Sequence, residues 1–521
     1  MLLANQQVAR RQKSSPDYRG MEPTLARPSS ARIGFFLLLG LLILCAVGKT
    51  ILADTLDPDA FWHLRVGEEI SHLNWSNWTP SPLVDDLSFA SIREPWTPYS
   101  WLAELGMWRL WDFGGYRAAI AVQAILEGLF VTFLALSALE TTRRAWGQPR
   151  YLSSILATTV GAFFSLPFLS FRPVTAALTG LAFIAWILLR DRRMQQKSIA
   201  VWLVPPITAI IVNLHFFAVL CPLWLFALLV GDLIENRFED AGKKIWRDVC
   251  LLALSTLACL CTPYLNGTIQ TMLHYTLNDV MVRSPLIAEM QPIYHGIAGV
   301  VTIEVAAGIV LLAIARHRQA GIGEILWLLG SATLLVSAGR FSPVFAIIAT
   351  PILAATMPAM SDRSLARPVV GGVLLLVLVA GVWRITESFP SPSTSISTWL
   401  NRNGPDVPHY PCAAADFVEQ NIHPATGRVI CEYSWGGYLE WRLARQFQPL
   451  MDGRTQLFST DFWNAAYFSG ESARQEFLAS THADAAVLPL KGPFQDSLKS
   501  LGWKIAFKDD FAQVLIPPSN P

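Results

Sequence analysis

The sequence predicts a polytopic α-helical membrane protein of about eleven spans, closed by a C-terminal α/β domain outside the bilayer. Three observations carry this. Hydrophobic residues make up 52% of the 521-residue chain and charged residues only 15%, where a soluble domain carries about 25% charged. Apolar runs near the ~20 residues needed to cross the hydrocarbon core recur through most of the chain. Basic residues also concentrate in every second loop.

Residues 1–32 are polar and basic, with Arg10, Arg11, Lys13, Arg19, Arg27 and Arg32, and read as a cytoplasmic tail. The apolar run after them is too long for a signal-peptide core and lacks a small-residue cleavage site, so it reads as an anchor. Runs at 33–53, 116–140, 151–169, 174–190, 199–214, 216–234, 245–262, 297–315, 324–339, 343–359 and 368–387 supply the spans of a transmembrane domain over 33–387. With the N-terminus inside, the inner loops hold Arg143, Arg144, Arg150, then Arg190, Arg192, Arg193, Lys197, then Arg237, Lys243, Lys244, Arg247, then Arg316, Arg318, then Arg363, Arg367. The outer loops hold only Arg65, Arg93, Arg109, Arg172, Arg283 and Arg340. An odd number of spans then carries the C-terminus outside. The 19 tryptophans suit a protein with two membrane–water interfaces.

Two outer loops are long, 54–115 and 263–296, and long loops in compact folds usually carry function. A Ser/Pro/Asn-rich linker spans 388–410, and from 411 to 521 helical and strand patterns alternate, as in a small α/β domain. Cys45, Cys221, Cys250, Cys259 and Cys261 show no metal-ligand spacing and read as small core residues. Cys412 and Cys431 share the outer domain, and their pairing stays open. The net charge of +1 gives no basic field for nucleic acid.

The first outer loop is the most informative stretch. In "DTLDPDAFWHLRVGEEI", Asp57-Pro58 is a helix start, with Asp as cap and Pro at the first helical position. A helix there puts Asp59 and His63 on one face, with an apolar side of Phe61, Trp62, Leu64, Val66, Ile70 and Leu73 expected to lie along the interface. Asp57 and Asp59 could act as base or hold a cation; equally, Asp57 is merely a cap and Asp59 a helix-dipole partner. Lys49, late in the first span, either snorkels outward or faces an anionic site. Arg172 and Arg340 stand at outer ends of spans, where a guanidinium needs a partner; equally, each could snorkel to the interface.

"DPDAFWHLRVGEEI" with "DDLSFASIREPWTPYSWLAEL" resembles the first outer loop of bacterial polytopic proteins related to the C-type (GT-C) glycosyltransferases. That superfamily includes protein O-mannosyltransferases, aminoarabinose transferases and oligosaccharyltransferase catalytic subunits. "FRPVTAAL", "NLHFF", "TPYLNGT", "IAEMQP" and "GRFSPVFAIIATP" fit the same resemblance, which covers most of 50–515. It implies a bacterial inner-membrane enzyme that moves a sugar from a polyprenyl phosphate or diphosphate to an acceptor hydroxyl on a cell-envelope glycan, lipid or protein. Asp57 or Asp59 would be the base, with Asp59 favoured because a cap occupies the oxygens of Asp57. Arg172, Arg340, Lys49 and His215 would bind the donor phosphate, with His63 and Glu289 in support. A divalent cation, Mg or Mn, is left open.

A second resemblance lies in "RVICEYSWGGYLEWRLARQFQPLMDGRTQ", similar to the stretch around the Trp-Trp-Asp-Tyr-Gly motif of oligosaccharyltransferases. Here Trp435 replaces the motif's acid, which argues against Asn-sequon transfer. Tyr433–Tyr438 reads as a glycine-dependent turn between strand and helix, packed under aromatics, or else as a direct substrate contact, and Asp452-Gly453-Arg454 as either a surface turn with a local ion pair or a cleft-facing segment. Rival readings are a transporter or flippase, a polymerase of lipid-linked saccharides, and a non-catalytic scaffold. The lack of an internal repeat counts against the transporter. Sequon-like stretches at Asn74 and Asn77 carry little weight.

Overall fold

The computed structural model describes residues 30–52, 56–73, 83–93, 95–235, 241–294, 296–358, 410–444 and 446–518, with 372, 375 and 379. The basic tail to residue 29, Asp54, the sequon-like Asn74 and Asn77, nearly all of the run at 368–387 and the linker at 388–409 lie outside the described residues.

The other ten apolar runs fold as helices. These are α1 (Ser30–Leu52), α3 (Trp101–Trp146), α4 (Tyr151–Ser165), α5 (Pro173–Arg193), α6 (Val204–Leu214), α7 (Leu220–Ile234), α8 (Ala241–Ala258), α10 (Gly296–Ala315), α12 (Ile322–Ser337) and α13 (Ser342–Thr356). By length and composition six of the described helices, rather than eleven, can cross a membrane; Ile199–Leu214, Gly299–Ala315 and Ile322–Ser337 are shorter apolar helices. Helix α13 is buried along its whole length and packs against α3, α4 and α12. Short connecting helices are α9 (Leu265–Leu273) and α11 (His317–Ala320).

Helix α3 is bent at Gly114 and at Gly115, whose φ of 57° only glycine adopts readily. The bend separates an outer half, which packs against α2 (Pro58–His72), from the apolar half that begins at the expected residue 116. Helix α2 does not lie free along the interface. Its apolar residues Phe61, Leu64, Val66 and Ile70 are buried, because α3 and a helix of the C-terminal domain cover them.

At the far end of α5 the basic residues of the expected inner loops are paired. Arg192 binds Asp232 at 2.8 Å and Glu324 at 2.7 Å, Arg144 also reaches Glu324, and Arg247 binds Asp191 at 2.5 Å.

The C-terminal region holds α14 (Cys412–Asn421), α15 (Tyr433–Arg442), α16 (Thr460–Trp463), α17 (Glu471–Ser480) and α18 (Pro493–Ser500). They surround a five-stranded sheet of order β4-β3-β5-β7-β6. Its strands are β3 (Arg428–Cys431), β4 (Gln448–Pro449), β5 (Ala485–Pro489), β6 (Lys504–Lys508) and β7 (Ala512–Ile516); β1 (Leu83–Val84) and β2 (Pro95–Trp96) form a separate ribbon in the first outer loop. Strand β3 runs parallel to β4 and β5, while β7 is antiparallel to β5 and β6.

Two expectations are corrected here. Tyr433–Tyr438 is not a turn: it is the start of α15. Its glycines serve close approach, since a Cβ at Gly436 would lie 1.7 Å from the Met451 carbonyl and one at Gly437 3.1 Å from that of Pro58. Asp452 and Arg454 form no surface turn, because both are fully buried. Cys412 and Cys431 are not joined in a disulfide, and Cys431 is buried with its thiol directed at the Met451 carbonyl.

Helices α7 and α12 touch at Gly231, where an added Cβ would meet the Gly323 amide at 2.2 Å. Gly231→Val should therefore cost ~1–3 kcal/mol by overpacking, read as a lower thermal midpoint of the purified protein.

Candidate active site

The outer ends of α2 and α5 meet at one guanidinium. Helix α2 starts as its sequence dictates: Oδ1 of Asp57 accepts the Asp59 amide at 3.1 Å and Pro58 follows. Its other oxygen accepts from the Ser170 hydroxyl at 3.0 Å. Arg172, just before the Pro173 that opens α5, donates to Ser170 from Nε at 2.9 Å and stands 3.4 Å from Asp57. It also donates to Asp59 Oδ2 at 3.1 Å and to Glu289 Oε2 at 2.9 Å. Three carboxylates from two outer loops thus share one cation, which they hold firmly protonated against the cost of its burial.

Asp59 faces a cleft that is also lined by Trp62, His63, Tyr99, Arg172, His215, Tyr275, Glu289, Arg340, Tyr433, Gly453 and Thr455. Its side chain is a third exposed. Burial, then the adjacent Asp57 carboxylate, push its pKa up to about 6, against the pull of Arg172 and a 3.1 Å hydrogen bond from Trp62 Nε1. Glu289 is held below the usual range: burial raises it, but Arg172 and Arg340 outweigh that. Burial and Arg172 lower His63, so it is a neutral ring, paired with Glu104 at 3.0 Å.

Of the four candidate phosphate ligands, three line the cleft and differ in what they have to spare. Arg172 is committed to its three carboxylates. Arg340 contacts the Met290 thioether at 3.0 Å, and among the described residues it has no carboxylate partner. A guanidinium bonded to sulfur keeps nearly all its capacity for an anion. His215 accepts the Phe217 amide on Nδ1 at 3.2 Å, which leaves Nε2–H as the donor of the neutral ring. Lys49 does not line the cleft. Its ammonium is drawn to Glu127 at 3.2 Å and to the Leu169 carbonyl, because a carboxylate buried within α3 is the stronger partner.

A divalent cation would need Asp57, Asp59 and Glu289 as ligands. All three carboxylates are bound to Arg172, and among the described residues no group of three or more His, Cys, Asp or Glu is arranged to hold a metal. The site as built does not fit one.

No family model matches the chain, and no curated protein matches it. Solved structures do. The archaeal oligosaccharyltransferase AglB from Archaeoglobus fulgidus, in complex with an inhibitory peptide and a dolichol-phosphate, aligns over 87% of this chain and 69% of its own (12% identity, TM-score 0.51). The apo form of the Archaeoglobus fulgidus oligosaccharyltransferase aligns over 93% and 75% (13% identity, TM-score 0.54). ArnT from Cupriavidus metallidurans, bound to undecaprenyl phosphate, aligns over 93% and 98% (14% identity, TM-score 0.54). The chain has the GT-C fold. Identity this low carries the architecture of a GT-C membrane protein and no residue roles.

Sequence reasoning missed Tyr99 and Tyr275 in the cleft wall, whereas Gly453 belongs to a segment for which a cleft-facing position was one of the two readings. Nothing in hydrophobic periodicity marks them, since each arrives from a loop or a loop-side helix end. The two arginines make different demands on stability. Arg172→Met leaves three carboxylates unpaired and should cost ~3–5 kcal/mol. Arg340→Met removes one thioether contact and should cost much less; thermal unfolding of both variants in one detergent checks the order.

Proposed function

We propose that the protein is a membrane glycosyltransferase that moves a sugar from a polyprenyl phosphate or diphosphate to an acceptor hydroxyl at the outer face, with inversion. The carrying observation is the pairing, in one cleft, of a carboxylate one third exposed, with its pKa raised to about 6, and a guanidinium that has no carboxylate partner among the described residues. The structural neighbours solved with dolichol-phosphate and undecaprenyl phosphate support the lipid class of the donor.

An apolar cavity of about 590 Å³ supports it too. It is lined by Phe163, Phe164, Pro167, Phe168, Pro292 and Ile293, and it shares the segments around Glu289 and Arg340 with the polar cleft. A prenyl chain there would present its phosphate to Arg340 and His215. The acceptor oxygen attacks the anomeric carbon from the face opposite the phosphate. Asp59 takes the hydroxyl proton, a new glycosidic bond forms, and the carbon–oxygen bond to phosphate breaks with its electron pair passing to the leaving group. Arg340 and the His215 Nε2–H offset the growing charge. Asp57, with both oxygens engaged, positions α2 rather than receiving the proton.

The loop charges support an inner-membrane protein with its N-terminus in the cytoplasm and residues 411–521 outside. The resemblance supports a bacterial cell envelope.

Two measurements test the reading. Mass spectrometry of envelope glycans, lipids and proteins after deletion should find one sugar missing, restored by wild type but not by Asp59→Asn; restoration by that variant ends the proposal. With donor and acceptor so identified, kcat/KM should rise with pH and level off above about 6, because the base acts only when ionised. Asp57→Asn removes a charge that raises Asp59, so its limb should move to lower pH.

A further inference from the structure

The two C-terminal motifs, Ser434-Trp435-Gly436-Gly437 and Asp452-Gly453-Arg454, converge on the helix that carries Asp59. A Cβ at Gly453 would lie 2.4 Å from Asp59 Oδ1 and 2.6 Å from Trp62 Nε1, so bare backbone stands against both ends of the Trp62–Asp59 hydrogen bond. Gly437 lets α15 approach the first turn of α2, 3.1 Å from the Pro58 carbonyl and 3.4 Å from the Trp62 amide for an added Cβ.

The residues flanking Gly453 are anchored in a buried charge cluster. Arg454 is fully buried and binds Asp452 at 2.5 Å and Asp85, from the first outer loop, at 2.8 Å. Its guanidinium centre lies 5.9 Å from the Trp62 ring and 5.2 Å from the Trp96 ring. Asp452 also caps the Arg454 amide at 2.7 Å and accepts the Ser88 hydroxyl at 2.7 Å. Burying such a charge is tolerable only where every partner is in place, so the segment has little freedom to move.

We infer that Arg454 is a positioning residue for the reaction: its buried ion cluster clamps Gly453 against Asp59 and Trp62, fixing the carboxylate's orientation without touching substrate. The second motif then works by gripping α2 through its glycines, rather than by holding an acceptor side chain. This rests on Asp59 as the base.

The test is a readout that needs no substrate. The purified full-length chain is treated with a carbodiimide across pH, and modification of Asp59 is followed by peptide mass spectrometry, with Asp59→Asn as blank. Trp62→Phe deletes the hydrogen bond that favours the ionised form and should move the Asp59 midpoint up by about half a unit or more. Gly453→Ala and Arg454→Lys should move it the same way, although both leave unchanged Asp57, Arg172 and Glu289, the charged groups that act on Asp59, and the neighbouring Tyr99 and Tyr433. Ser88→Ala, which loses one hydroxyl on Asp452, gives a smaller shift and retains the fold. Gly231→Val serves as control, since it loosens the helix bundle far from α2 and should lower the thermal midpoint alone. Folded Gly453→Ala, Arg454→Lys and Ser88→Ala proteins with the wild-type profile would overturn the inference. Retained sugar transfer by Asp59→Asn would instead end the functional reading and leave the labelling result standing.

Discussion

One guanidinium ties the two long loops of this protein to its helix bundle. Arg172 holds Asp57 and Asp59 of the first long loop and Glu289 of the second, and without it three part-buried carboxylates would face each other. Like charges at such range cannot all ionise unaided. The arginine therefore decides the protonation of the site as well as its shape. It keeps Glu289 ionised while Asp59, more deeply influenced by burial and by Asp57, stays near the point of taking a proton. The same group ties the start of α5 to the start of α2, so a bundle helix and a loop helix share one fixed point.

Helix α5 has a second charged anchor at its other end. Arg172 precedes its first residue and Arg192 lies in its last turn, roughly 30 Å away by helical rise. There Arg192, Arg144 and Arg247 meet Asp232, Glu324 and Asp191. These basic residues are thus neutralised in the folded bundle by acids on neighbouring helices. Between the two layers the apolar middle is fixed by close packing, as where Gly231 meets Gly323 and Gly161 meets Thr350. Helix α13, buried from Ser342 to Thr356 and without a charged residue, is placed by that packing and by polar contacts of its own: the Ser342 hydroxyl donates to the Phe164 carbonyl, and the Ala355 and Thr356 carbonyls accept from Trp146 and Arg316.

What could be read in the residues, and what could not, follows from range. The cap at Asp57-Pro58 is a local event and was legible. So was the alternation of strand and helix after Pro411, because each element is announced within a few residues. The roles of Arg172 and Glu289 were visible only as oddities of place; that they bond across 117 residues is a property of the fold. Lys49 shows the limit from the other side. Its exposure to an anionic site was a fair expectation, but the competing carboxylate, Glu127, lies 78 residues on and inside a span. The glycines of the C-terminal domain were ambiguous for a different reason. A turn and a close helix contact both select glycine, and only the φ angles and the neighbours of Gly436 and Gly437 tell them apart.

The fold explains why a C-terminal domain is needed at all. A short helix on the surface of a bundle has one face to bury, and α2 at 15 residues is marginal alone. Packed only on α3, it would leave Phe61 and the far side of Trp62 in water. The domain's aromatic face closes over Phe61 through Tyr410, Tyr438 and Trp441, with ring centroids 4.9–5.8 Å away. The Tyr410 hydroxyl adds a bond to the Leu56 carbonyl, just before the cap. Such packing fixes a helix to within a fraction of an ångström, but it cannot set a carboxylate's rotamer, because Asp59 points toward the cleft. That last degree of freedom is taken up by Trp62 and Arg172, one on each oxygen. Both partners are themselves held by groups from distant segments, so the orientation of a single carboxylate draws on the bundle, both outer loops and the C-terminal sheet together.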